Sequence, residues 1–412
     1  MEPTPERDMI LSTADEQPTD AAAPAPRATK HVALLVETSR TYGRDILKGV
    51  NRYLAEHEHW SLFVELRALD SQVPRWLASW RGDGIIARTG SAAMAESIAA
   101  TGLPGVELRA SKLAHKLPFV GCDNRDLGRV VADHFIDNGF ANFAVFDLDT
   151  ERYFEERRDN FREYLATRGH ECHEHHAPTQ GERPSNWERH QADVARWVQS
   201  LPKPIGIFAC TDQLAFWLLD ACRRAGVAVP EEVAVVGAEN DETLCTMARP
   251  QLSSVAFDGE RVGYEAAGLL DRLMAGEALP AEPLLVPPKG IVVRQSSDIM
   301  AIEDPQVAAA VRYIREHACH GINVNDVVKH VGLSRTLIER RMRQAIGRTP
   351  GEEIVRVRLN RVKTLLTETD LTLAEIAGRC GMEHPQYMAE SFKKQFGATP
   401  GAFRGKRGHS AF

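Results

Sequence analysis

The sequence predicts an α/β domain of two lobes followed by a smaller all-α domain with two helix-turn-helix units. Three observations predict it. Short apolar runs alternate with amphipathic stretches from residue 31 to 122, and the alternation restarts from 143 to 237. It ends at a Pro-rich stretch, Pro280–Pro288, after which no strand-like run follows. The remaining tail carries one helical pattern twice, its G-x-T-P-G blocks 50 residues apart.

Length and charge support the division. A chain of 412 residues exceeds one compact domain. Hydrophobic residues at 43% and charged residues at 26% exclude a mostly disordered or collagen-like chain. No run approaches the roughly 20 apolar residues of a membrane helix. Seven scattered cysteines without C-x-x-C point to a reduced, cytoplasmic setting rather than a disulfide framework. Residues 1–29, rich in Pro and Ala and acidic, read as a disordered arm and not as a signal peptide. The net charge of −7 conceals an asymmetry. From Pro305 onward there are 18 Lys/Arg and 10 Asp/Glu, a net of +8 on an otherwise acidic chain. A basic tail on an acidic body is the footprint of a nucleic-acid-binding module.

The elements follow in order. His31–Val36 is an apolar strand, Glu37–Tyr42 a polar turn, and Gly43–Glu56 a helix with Ile46, Leu47, Val50 and Leu54 on one face. Strands are expected at Trp60–Leu66, Asp83–Ala87, Leu103–Leu108 and Phe119–Cys122. The second half offers strands at Phe143–Leu148, Ile205–Cys210 and Val233–Gly237, with helices at Glu155–Arg168 and Asp212–Ala225. Alternation at this spacing means βαβ units, parallel sheets and a ligand cleft at strand carboxyl ends. Residues 30–296 then form the α/β domain, 297–305 a linker and 306–407 the tail domain.

In the tail, Val324–Ser334 and Leu373–Glu383 each place a glycine (Gly332, Gly381) between two helical stretches. Ile354–Thr367 joins the copies as a helix. Two such units let one chain present two recognition helices to neighbouring major grooves. Ile338 and Met342 face the core of the first, and Met388 and Phe392 that of the second.

With Ser334–Gly351 and Glu383–Arg404 in view, the tail resembles the AraC/XylS-type DNA-binding domain. Thr211–Gln213, Gly237–Asp241 and Leu252–Val255 make the body resemble the LacI/GalR-type, periplasmic-binding-protein-like sugar sensor. Sensor first and DNA-binding domain second is similar to the bacterial regulators of xylose operons, as are Tyr42–Arg44, Val286–Pro288 and Tyr313–Cys319. The resemblance implies a non-enzymatic transcription regulator, an activator of a pentose-use operon. Its partners would be double-stranded operator DNA, a monosaccharide effector (D-xylose or a relative), RNA polymerase and a second copy in a homodimer. A different pentose or a uronate as effector stays open, as does an α/β sugar enzyme with an appended tail.

Site residues are carried over position by position. For the sugar they are Tyr42 and Arg44 after the first strand, Asp123 and Asn124 at the lobe crossover, Arg157, Asp212, Glu239 and Asn240. Glu239 stands where Asp is usual. For DNA, Ser334, Arg335, Thr336, Glu339, Arg340 and Arg343 belong to the first unit; Arg recognises a guanine edge and Glu accepts from cytosine. Gln386, Ala389 and Glu390 take the base-facing positions of the second unit, with Lys393, Lys394 and Arg404 on phosphates. No cofactor is implied, since G-x-G-x-x-G is missing after the first strand. The His170–His176 run has the composition of a metal site but no recognised zinc spacing.

Overall fold

Apolar strands at the expected spacing pair into two parallel sheets, one per lobe. The computed structural model describes residues 29–405 apart from 58–59, 69–70, 111–116, 149, 178–185, 299–301, 303 and 370. The expected arm, except for Thr29, lies outside the described residues, as do 406 and 407.

In the first lobe, β1 (Lys30–Leu35) leads into α1 (Thr41–His57), β2 (Trp60–Val64), β3 (Gly84–Ala87), α2 (Ala92–Ala100) and β4 (Gly105–Glu107). The strand order is β2-β1-β3-β4, all parallel. The chain crosses through β5 (Val120–Cys122) into the second lobe. There α3 (Asn124–Asp137), β6 (Asn142–Leu148), α4 (Arg152–Thr167), β7 (Cys172–Ala177), α5 (Trp187–Ser200), β8 (Ile205–Ala209), α6 (Asp212–Arg224), β9 (Val233–Glu239), α7 (Glu242–Met247) and β10 (Ser253–Ala256) follow. It recrosses to place α8 (Gly259–Met274) on the first lobe. It then returns through β11 (Leu284–Val286), which pairs with β5, to β12 (Gly290–Val292). The second sheet runs β12-β10-β9-β8-β6-β7, with β12 antiparallel.

Three crossings make a hinge, clasped by the Asp123 amide donating to the Val286 carbonyl at 2.8 Å. Helices α1 and α8 pack almost backbone to backbone, because a Cβ at Gly49 or Gly263 would collide with the Glu260 or Ile46 carbonyl. Ile46, Val50, Val262 and Leu270 are buried there. At about 1.5–3 kcal/mol per buried side chain, that seam holds the distant segment onto the first lobe.

Several boundaries differ from expectation. Helix α1 begins at Thr41, inside the expected turn, because the Arg44 amide already bonds the Arg40 carbonyl. Tyr42 is therefore in the first helical turn. Strand β2 stops at Val64, where its partner β1 runs out. Strand β9 continues to Glu239, paired with Ala256.

The tail contains α9 (Pro305–His317), α10 (Val324–Val331), α11 (Arg335–Ile346), α12 (Pro350–Glu368), α13 (Leu373–Arg379), α14 (Pro385–Phe396) and α15 (Pro400–Gly405). The repeated G-x-T-P-G block now has a physical reading. Gly347 and Gly397 stop a helix with φ of 70° and 74°. Thr349 and Thr399 then accept a backbone N–H as N-caps, and Pro350 and Pro400 open the next helix.

The start of the expected linker, Ser297 and Asp298, is docked. Ser297 is buried against His134. The Asp298 carboxylate accepts from Arg356 at 2.6 Å and its carbonyl from Arg315 at 2.8 Å. Arg315 also pairs with Glu231 at 3.1 Å, beside a cavity of about 350 Å³ between the second lobe and the tail.

Candidate functional site

The cleft between the lobes is where strand ends converge. After β1 stands Glu37, after β3 Arg88, after β4 Arg109, after β8 Asp212, after β9 Asn240 and after β10 Phe257, with Glu239 closing β9 itself. The first turn of α4 adds Tyr153, and Arg157 follows one turn on.

Arg157 is the hub of the cluster. It is 4% exposed; Nε donates to Asn124 Oδ1 at 3.2 Å and Nη1 to the Cys210 carbonyl at 2.6 Å. It lies 3.6 Å from Glu239 and stacks over the Tyr153 and Phe257 rings. Arg40 reaches Glu239 from the other lobe at 3.7 Å, and Thr41 donates to Asp241 at 3.2 Å. Tyr42 is buried edge-on to Phe257, under the guanidinium of Arg88. Burial pushes its phenol up, so it stays protonated as a donor. Arg88 pairs with Glu37. Desolvation lowers Arg88 from its ordinary value.

Glu239 and Asn240 carry positive φ, 103° and 51°. For a non-glycine pair this costs on the order of 1–3 kcal/mol per residue, a strain that clusters at ligand sites. Asn240 donates its amide to Ser254 Oγ at 3.0 Å. The Ser254 hydroxyl donates to Asp212 at 2.5 Å, and the Asp241 amide does so at 2.6 Å. Burial, the largest cause, pushes Asp212 up to about 8 against those hydrogen bonds.

Six expected sugar residues meet here: Tyr42, Asn124, Arg157, Asp212, Glu239 and Asn240. Two stand apart. Arg44 is exposed and donates to the Thr38 carbonyl and Thr41 Oγ1, tying the start of α1 to itself. Asp123 caps α3 through the Arg125 and Asp126 amides and lines a groove of about 1450 Å³ on the hinge. Glu37, Arg88, Tyr153 and Phe257 escaped sequence reasoning. Their signal was available, since each lies a residue or two past a strand end or at a helix start.

In the cleft, four buried atoms have no hydrogen-bond partner among the described residues: Glu37 Oε2, Arg88 Nε, Arg109 Nε and Asn240 Oδ1. Each unpaired buried group costs about 1–3 kcal/mol, which a ligand's hydroxyls can recover. Two are donors and two acceptors, the pattern a polyol satisfies.

The recognition helices have the expected polarity. Ile338, Met342, Met388 and Phe392 are buried. Ser334, Arg335, Thr336, Arg340 and Arg343 are exposed on or next to α11, with Ser334 capping it through the Leu337 amide. Glu339 is half-buried and paired with Arg335 at 2.8 Å. On α14, Gln386, Glu390, Lys393 and Lys394 are exposed and Ala389 is half-buried. Tyr387, not foreseen, stands 54% exposed beside Gln386. Arg404 is placed differently from the expectation of a free phosphate ligand: it donates to the Leu371 carbonyl at 2.5 Å and ties α15 to the start of α13.

From Cys172 onward the His170–His176 run lies in β7, whose alternation splits it between two faces. His175 stacks on Trp197 and is pushed down to about 4, chiefly by burial; His176 bonds Asp147 at 2.5 Å. Among the described residues no helix is long and apolar enough to cross a membrane.

Comparison with known proteins agrees with this geometry. Residues 31–125 match a XylR N-terminal domain, 132–297 a periplasmic binding protein-like domain and 327–406 a helix-turn-helix domain. The chain is 34% identical to the xylose operon regulatory protein of Escherichia coli K12 over 90% of this chain and 96% of that one. It is 33% identical to the one from Haemophilus influenzae over 90% and 97%. A solved structure of the xylose-binding transcription activator xylR superposes with a TM-score of 0.78 at 32% identity, covering 92% of this chain and 98% of that one. A LacI-type regulator of Alkaliphilus metalliredigens with D-xylulofuranose shares the sensor fold, at 20% identity and a TM-score of 0.53 over 65% of this chain. A two-lobed sensor joined to paired helix-turn-helix units, with likeness along nearly the whole of its relatives, makes this chain a transcription regulator that belongs to the xylose operon regulatory protein family.

Proposed function

We propose that this regulator binds an uncharged pentose, D-xylose, in the cleft and answers with altered operator binding, acting as an activator. The observation that carries this reading is the pairing of every cleft guanidinium with a carboxylate. Arg88 pairs with Glu37, Arg157 and Arg40 with Glu239, and Arg109 with Glu151. Three carboxylates thus offset all but one of the four guanidinium charges, which leaves little for a uronate, while unpaired donors and acceptors suit hydroxyls. Tyr42, Tyr153 and Phe257 supply apolar walls for sugar C–H faces. The relatives' names, which mention xylose, agree with this chemistry.

Sugar that binds the two arrangements of the lobes unequally shifts their balance by its differential affinity. The Arg40–Glu239 and Thr41–Asp241 contacts are the cross-lobe ties that such a shift would strengthen. On the DNA side, Arg340, Arg343 and Thr336 read base edges, Gln386 and Glu390 supply a second reading, and Lys393 and Lys394 hold phosphates. A cytoplasmic homodimer that contacts RNA polymerase completes the proposal; scattered free cysteines suit a reduced compartment and the basic tail suits DNA.

Calorimetry of the full chain against D-xylose, L-arabinose and D-galacturonate tests it. Saturable D-xylose binding that Arg88→Ala abolishes is the expected result. Tight galacturonate binding without pentose binding would overturn the reading. Uptake of no sugar at all would do the same.

A further inference from the structure

We propose that Cys319 and Cys380 form a thiol-oxidation site, whose disulfide ties the two helix-turn-helix units together and weakens operator binding. Cys319 lies in the short helical turn Ala318–His320 that leads into the first unit. Cys380 caps α13 directly before Gly381, the turn of the second unit. The two thiols are near enough that each is the largest influence on the other's acidity. The residue after Cys380 packs directly on the turn that holds Cys319: a Cβ on Gly381 would fall 2.9 Å from the Cys319 carbonyl oxygen and 3.0 Å from that of Ala318. Arg358 pins the turn, donating to the Ala318 and Ile322 carbonyls at 2.8 Å each.

The two thiols are unlike, as attacking and resolving thiols should be. Cys380 is fully buried and Cys319 is partly open. The interaction with Cys380, aided by the charges of Arg361 and Arg358, outweighs burial and lowers the Cys319 thiol below its ordinary value. Cys380 is raised in turn. The other five thiols lie in the sensor, and burial raises each of them. Thiolate character and access together decide which cysteine an oxidant meets first.

With hydrogen peroxide as oxidant the steps balance. The Cys319 thiolate attacks one peroxide oxygen, the O–O bond breaks, and the departing hydroxide takes a proton to become water. The resulting sulfenic acid is attacked by the Cys380 sulfur, which loses its proton as the S–OH bond breaks and a second water leaves. Two thiols lose two electrons and peroxide gains them. Covalent linkage draws the sulfurs to about 2.05 Å, closer than two unbonded thiols can approach. The turn of the second unit then shifts against the first, and with it the spacing of α11 and α14. Disulfides that form in a reducing compartment are usually of this transient, sensing kind.

The proposal rests on the tail's DNA-binding role, and the experiment separates the two. The full chain is treated with peroxide or with dithiothreitol, then mapped by non-reducing peptide mass spectrometry and titrated with a fluorescent operator. The expected result is a Cys319–Cys380 linked peptide and operator affinity several-fold lower in the oxidised sample, restored by dithiothreitol. Cys319→Ser should bind operator like the reduced protein and ignore peroxide. Because Cys380→Ser puts a hydroxyl in a fully buried site and can fail to fold, the mapping of the unaltered chain decides. Absence of the linked peptide overturns the site. A linked peptide with unchanged affinity overturns its effect. Operator binding absent in both samples points instead to failure of the DNA-binding role.

Discussion

The two helix-turn-helix units share one sequence pattern yet are anchored in different ways. The first shares its apolar core with the sensor: Val307, Val311, Ile338, Met342 and Ile354 continue the packing of the lobes. Arg315–Glu231 and Arg312–Glu232 reinforce that joint. The second has a core of its own around Leu359, Val362, Leu366, Met388 and Phe392, reached through α12. The first unit is thus an extension of the sensing lobe, and the second is carried by a helix. A movement of the lobes reaches α11 directly and α14 only through α12. Capping follows the same contrast: Ser334 caps α11, whereas His384 makes no side-chain cap on α14.

The largest test breaks the joint. Glu353 is fully buried, bonded to Arg356 and Arg348, and Arg356 reaches on to Asp298. Arg356→Ala leaves that carboxylate poorly paired and should cost about 3–5 kcal/mol in chemical denaturation. A loss below about 1 kcal/mol would show that the joint is mainly apolar.

Acidity separates the regions next. In the second lobe, Asp212 keeps its proton to about 8, while the unfolded chain releases it near 4. Stability contributed by that group is full below about pH 4 and falls as pH rises through that window, by an amount on the order of a few kcal/mol. In the joint, burial works to raise Glu353, but Arg356 and the neighbouring arginines hold it below the usual carboxylate range. Its contribution has the opposite sign, present above the usual carboxylate pKa and lost on acidification. Asp212→Asn should flatten the decline of melting temperature toward pH 8; an unchanged slope would remove Asp212 as its source.

DNA reading sharpens the contrast further. Arg340→Ala should cost about tenfold or more in operator affinity and relax specificity at one base pair, while Glu390→Ala stays within about twofold. Equal losses, measured by fluorescence anisotropy at fixed salt, would make the units equivalent readers. The smallest effects are the caps. Ser334→Ala should cost about 1 kcal/mol, and His384→Ser should stabilise α14 by about 0.5 kcal/mol. Both can be followed in thermal melts of the full chain.

Much of this molecule is legible in its residues because the signals are local. Short apolar runs need no partner to be recognised: strands β6 and β8 fall within a residue of where the composition of Phe143–Leu148 and Ile205–Cys210 puts them. The G-x-T-P punctuation marks helix ends in both tail copies for the same reason. Six of the expected sugar residues converge because strand carboxyl ends form the cleft in any doubly wound lobe. Arg44 and Arg404 went elsewhere, since a long flexible guanidinium takes whichever carbonyl lies within reach, and reach is decided in three dimensions.

By itself the sequence determined the two-lobed α/β body, the basic tail and its repeat, and the faces of the recognition helices. These rest on periodicity, turn chemistry and charge, which act over a few residues. Only the tertiary structure decided that Glu37 meets Arg88, that Arg157 sits between Tyr153 and Phe257, that Ser297 is docked rather than free, and that the turn holding Cys319 packs against Gly381, next to Cys380. Those pairings depend on how sheets, hinge and helices close on one another, and side chains distant in sequence meet only once the chain between them has folded.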